Sequence, residues 1–231
     1  MFDRDNGPFC RGWDFRGVRD PEMAAFRTIT GDEESATAVF CAVQRREYKE
    51  SEKLNTRSHL HKNALTVFLD AVEQFLVKNP LGDGTFHITI ESVDSKERLR
   101  IRFKQAIAEG ASVWVYPNPP LHASLTTDSG PYGFEAELNE IADVKKYPSI
   151  EKHLRNRANR RNQLLYATTA GMPSLEGDLL PFLEHQRRSI FRNLGLFLMV
   201  DPYPDKQLFV QQGLQAFLRM LNILPADIEF E

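Results

Sequence analysis

The chain has 231 residues, 42% hydrophobic and 26% charged, with 29 Lys+Arg against 32 Asp+Glu and a formal net charge of −3. That length supports a sizeable core, and the composition excludes a disordered chain or a polycation. Two cysteines, Cys10 and Cys41, give no disulfide framework and no zinc pattern, and point to a reducing cytosol.

The N-terminus lacks an apolar signal core, and the most apolar run, Leu194 to Val200, is too short to span a bilayer. No membrane, metal or cofactor is expected. Residues 1–21 mix Gly, Pro, Asp and Arg and read as an irregular arm. Thr30-Gly31-Asp32-Glu33 has the form of a capping box opening a helix with Ala36, Val39, Phe40 and Val43 on one face. Glu33 and Glu34 then complement the helix dipole. A second helix follows, with apolar positions 64, 67, 68, 71, 72, 75 and 76, ended by Asn79-Pro80.

The segment 85–116 is strand-rich. Phe86 to Glu91 and Leu99 to Lys104 alternate, and Ser112 to Tyr116 has strand composition. Loops at 117–120 and 128–131 lead to helices near 135–143, 149–170, 176–199 and 205–222. The expectation is one helix-dominated α+β domain over 1–231: a helical bundle with a small antiparallel sheet or hairpin inserted in the middle.

The positive charge is concentrated. Seven cations lie between Lys145 and Arg161 beside one acid, which leaves 22 Lys/Arg against 31 Asp/Glu elsewhere. Leu154, Ala158, Arg161 and Leu165 have the 4-3-4 spacing of residues facing a partner helix. An arginine on that seam either snorkels or pairs with a carboxylate, or else serves as a cation in a cleft. Asn159, Asn162 and Gln163 beside it would suit a cleft that binds phosphate or bases, as would Arg155, Arg157 and Arg160.

Arg57 and His61 are four residues apart. Projection back from Ala64 puts them on the apolar helix face, where His61 is either a satisfied core histidine or a base kept neutral by the nearby cation. If that helix packs on the basic one, Arg57, His61, Arg161 and Tyr166 share a cleft. His59 points the other way, so His59 and His61 make a poor metal pair.

On the strand from Arg98 to Lys104, Arg98, Arg100, Arg102 and Lys104 take one face, spanning about 20 Å. They are either a solvated face guarding a sheet edge or a track for phosphates. Trp114 and Tyr116 could stack bases, but the alternating Val113 and Val115 favour ordinary strand burial. Walker A, Gly-x-Ser-x-Gly, His-Glu-x-x-His and Gly-x-Gly-x-x-Gly motifs are absent.

The segment Arg155 to Ala167 resembles the signature helix of HEPN domains. These helical bundles occur in prokaryotic toxins, defence systems and RNA-processing factors. Their pattern is an arginine, usually followed by asparagine, then a histidine four to six residues later. Arg161-Asn162 matches the first half, and the histidine position falls on Tyr166. The resemblance implies a homodimer and metal-independent RNA cleavage, with the arginine polarising the phosphate and the histidine moving protons. Tyrosine, with a reference pKa near 10, is a poor base at neutral pH. A binding-only member therefore fits better than an active nuclease, unless His61 supplies the imidazole.

The functional expectation is a cytoplasmic domain that binds RNA or nucleotide phosphate in a defence, toxin or RNA-processing setting. Arg161, Tyr166 and His61 would be its catalytic residues if it cleaves RNA. The competing reading is a scaffold whose basic helix makes intersubunit salt bridges. A small-molecule enzyme stays open because the 117–133 loop could cover a pocket.

Overall fold

The computed structural model describes residues 21–80, 86–93, 95–108, 110–128, 130–163 and 178–222, without the side chains of Pro21, Phe86 and residues 160–163. Its elements run α1 (Pro21–Arg45), a 3-10 turn (Ser51–Lys53), α2 (His59–Lys78), β1 (Phe86–Val93), β2 (Lys96–Ala108), β3 (Ala111–Val115), β4 (Thr126–Thr127), β5 (Gly130–Pro131), α3 (Glu135–Val144), α4 (Ile150–Gln163), α5 (Leu179–Val200) and α6 (Leu208–Asn222). The fold is α+β and helix-dominated, as expected. Among the described residues no helix is long and apolar enough to cross a membrane.

Helix α1 corrects the capping-box reading. Proline is well placed as a first helical residue, because its fixed φ suits the helix and its missing N–H would be unpaired there anyway. The helix begins at Pro21 and runs through Thr30-Gly31-Asp32-Glu33 without a break. Thr30 Oγ1 donates back to the Phe26 carbonyl at 3.0 Å instead of capping. Asp32 and Glu33 are buried mid-helix, 2% and 3% exposed, not solvated first-turn acids. Gly31 has a packing reason, since a Cβ there would lie 3.2 Å from Ile190 Cδ1 of α5.

Helix α2 follows its apolar pattern closely. Ser58 caps it by accepting the His61 N–H at 3.3 Å. Ala64, Val67, Phe68, Ala71 and Val72 are buried. It packs against α1, α3, α4 and α6, while α1 lies along α5. Within the core, Phe134 is fully buried. It meets Phe68, Phe75, Tyr132 and Phe209 edge-on, with ring centroids 5.2 to 6.5 Å apart. It also has φ 66° at the start of α3. A left-handed aromatic residue costs about 1–3 kcal/mol, which this aromatic shell offsets.

The inserted sheet is an antiparallel meander in the order β1-β2-β3, as expected for 85–116. Its register opposes His87 to Arg102, Thr89 to Arg100, Glu91 to Arg98, and Lys104 to Trp114. Gly110, with φ 72°, turns β2 into β3. β2 packs on α5. There Leu99 is buried, its backbone carbonyl accepts the Tyr203 hydroxyl at 2.8 Å, and the Arg98 guanidinium stacks 5.3 Å from the Tyr203 ring centroid. Ile88 and Ile90 on β1, Ile107 on β2 and Val113 on β3 are exposed. The sheet is thus anchored at one end of β2. The expected loop at 128–131 contains β5, which pairs with β4 just before it.

Candidate nucleic-acid interface

The basic helix α4 supplies less free charge than its composition suggests. Leu154 and Ala158 are buried, as the seam spacing requires. Arg155 is held by Glu151 one turn earlier, at 2.6 and 3.0 Å. Arg157 points into the protein. Its side chain is 15% exposed, and Nη2 donates to Asp32 Oδ2 at 3.3 Å. Its Nη1 donates to His185 Nε2 at 3.4 Å. Lys145, Lys146 and Lys152 remain exposed. Arg160, Arg161 and Asn162 belong to α4, but their side chains lie outside the described residues, as does Tyr166 altogether.

Arg57 and His61 do not share a helix face. α2 begins at His59. Arg57 precedes the cap in a turn, is exposed, and uses its backbone N–H to reach Asn55 Oδ1 at 2.9 Å. His61 is half-buried, and its Nδ1 accepts the Asn55 backbone N–H at 3.2 Å. Burial lowers its pKa. The imidazole therefore works locally, tying the loop to the helix. His59 also finds a role that helical projection missed, with Nδ1 2.8 Å from Glu33 Oε2 as donor to the carboxylate.

Where α1, α2, α4 and α5 converge, a buried polar network surrounds Asp32. Its Oδ1 accepts from Ser189 at 2.6 Å and Asn193 at 3.3 Å, and its Oδ2 from Thr66 at 2.9 Å and Arg157. Asn63 donates to Glu33 at 3.0 Å. Arg192 bridges Asp70 at 2.7 Å, Glu73 at 3.0 Å and the Thr66 carbonyl at 3.0 Å. His153 is half-buried beside this network. Burial first, then Arg157 and Lys145, push its pKa down to about 4. Asp32, Ser189, Thr66 and Asn193 are nearly inaccessible, so the centre of the network holds helices together.

The sheet differs. Arg98 and Arg100 are closed by Glu91, at 3.4 and 2.9 Å. Arg100, then Arg98, keeps that carboxyl below its usual range. Farther along β2, Arg102 and Lys104 make no ion pair among the described residues. The Arg102 guanidinium lies 4.8 Å from the Trp114 ring centroid. It donates to Tyr116 Oη and His87 Nδ1, both at 3.4 Å. His87 meets Trp114 edge-on at 4.9 Å. These contacts hold the guanidinium in place without neutralising it.

Trp114 is 37% exposed and Tyr116 56%. The register, with Lys104 opposite Trp114, puts both on the arginine face, and the expectation of burial fails. Among the described residues the helices cover only the base of the sheet, so this face stays open. Cation, imidazole and two accessible aromatic rings thus share one surface. Such a surface can stack unpaired bases and contact phosphates. Among the described residues no group of three or more His, Cys, Asp or Glu could hold a metal ion. No family model matches the chain, and no curated protein or solved structure matches it either.

Proposed function

We propose that this protein binds single-stranded nucleic acid, RNA in preference, on the arginine face of its sheet. The observation that carries the reading is Arg102, stacked on Trp114 with no carboxylate partner among the described residues, beside the exposed Tyr116 ring. Lys104 extends the charge along the strand, and His87 completes the patch. Stacking on Trp114 or Tyr116 supplies sequence-tolerant affinity, while Arg102 and Lys104 contact phosphate. The preference for RNA and a place in a defence or RNA-processing system rest on the resemblance of the 155–167 helix. Cleavage is not part of the proposal, because His61 is engaged with Asn55.

Anisotropy titrations of a labelled single-stranded RNA between about 50 and 200 mM salt test it. Affinity should fall steeply with salt. Trp114→Ala should cost about 1–3 kcal/mol of stacking. Arg102→Ala should flatten the log–log salt slope by about 0.7, one phosphate's worth on a single strand. Absence of binding at the lowest salt, or full affinity in both folded variants, would refute the assignment. In that case the scaffold reading would stand, with the patch engaging protein.

A further inference from the structure

Between α1, α2 and α6 lies an apolar cavity of about 80 Å³, and every side chain lining it is aliphatic or aromatic. Phe40, Phe68 and Phe217 form its inner wall, while Leu121 and Phe209 sit at its half-exposed rim. Without polar partners it cannot hold an ordered water.

Two features distinguish it from a packing defect. The first is Gly213, which lines the cavity from inside α6. Glycine is unfavourable in a helix interior, and Gly31 is justified by close contact with Ile190. Gly213 has no such reason. A Cβ there would find its nearest neighbour, Phe68 Cε1, only at 3.9 Å. The glycine preserves space that an alanine would occupy without strain.

The second is the segment from Leu121 to Leu125, strapped over α6 by two buried glutamines. Gln207 Oε1 accepts the Leu121 N–H at 2.7 Å. Gln212 accepts the Leu125 N–H at 2.9 Å and donates to the Leu125 carbonyl at 2.6 Å. The Phe209 N–H adds a bond to the Leu121 carbonyl at 3.1 Å. The strap places Leu121 at the rim while its polar backbone is satisfied elsewhere.

We infer that this cavity is a binding site for the apolar end of a straight alkyl chain. Its volume is about half that of a roughly 150 Å³ apolar cavity that accepts benzene, so a narrow chain suits it better than a ring. The chain could belong to a neutral alcohol or to a fatty acid. The inference is independent of the nucleic-acid reading, since no residue is shared.

Thermal unfolding of the whole protein with n-alkanols and n-alkanoates of two to ten carbons tests the site. In either series, saturable stabilisation should appear, affinity rising about fourfold per methylene and then levelling once the cavity is filled. The tighter series identifies the headgroup. Gly213→Leu, with folding checked by near-UV circular dichroism, should abolish the effect. Gly213→Ala should raise the ligand-free Tm and bring the plateau at a shorter chain. The inference is overturned by no saturable shift, by affinity climbing through ten carbons without a plateau, or by a Gly213→Ala response identical to that of the parent.

Discussion

Replacing Asp32 by alanine is the sharpest test of what holds the helices together. The carboxylate accepts from Ser189, Thr66, Asn193 and Arg157, and the first three are at most 1% exposed. An orphaned buried donor costs about 1–3 kcal/mol, more if charged. A simple sum overshoots, because alternatives exist. Asn193 retains Ser35 Oγ at 2.9 Å, and the Ser189 and Thr66 hydroxyls lie 3.1 Å apart. Arg157 cannot escape as easily, since its side chain is only 15% exposed. The expected loss is that of breaking a buried pair, about 3–5 kcal/mol. For a chain of this size that lowers Tm by roughly 6–20 °C. Urea unfolding followed by far-UV circular dichroism measures it. Adding Arg157→Leu should return part of the loss, because the stranded cation is removed as well. A cost below about 1 kcal/mol for Asp32→Ala would show that the network contributes little.

Two further predictions concern protonation and strain. His153 has a folded-state pKa of about 4 against an ordinary 6.5. Between those values the unfolded chain binds a proton that the folded one refuses, so stability present at neutral pH is lost as pH falls through this window. His153→Gln should flatten that part of the urea-midpoint profile, and an NMR titration placing His153 near 6.5 would contradict the assignment. Phe134→Ala should cost about 3–5 kcal/mol, reduced little by relief of its left-handed backbone, which alanine shares. A denaturation midpoint unchanged from the parent would mean that the aromatic shell does not depend on this ring.

Helix α2 and the sheet were legible because each follows a single period, 3.6 for the buried stripe from Ala64 to Val72 and 2 for β2. What escaped was polar pattern. Thr30-Gly31-Asp32-Glu33 satisfies the local grammar of a helix start. Only the partners on α2 and α5 reveal that Asp32 and Glu33 belong mid-helix. A signal for those partners was present: Ser189 and Asn193 on α5 and Asn63 and Thr66 on α2 recur at spacings of four and three, a polar stripe on each helix. Reading only apolar periodicity passes over it. Trp114 and Tyr116 escaped for a different reason. Alternation says which side chains share a face, but coverage depends on how far the helices reach over the sheet.

The arginines show why counting charge along the chain misplaced the emphasis. Arg155 and Arg157 sit in a long cationic stretch, yet each is matched to a carboxylate and presents little field to a ligand. Arg102 lies on the cationic strand β2 but meets an indole, a phenol and an imidazole instead. A carboxylate partner cancels charge, whereas a ring face orients it and leaves it standing. Anion recognition depends on the charge that remains after intramolecular pairing. At Arg102 on β2 that charge is held in place beside the rings that would read a base.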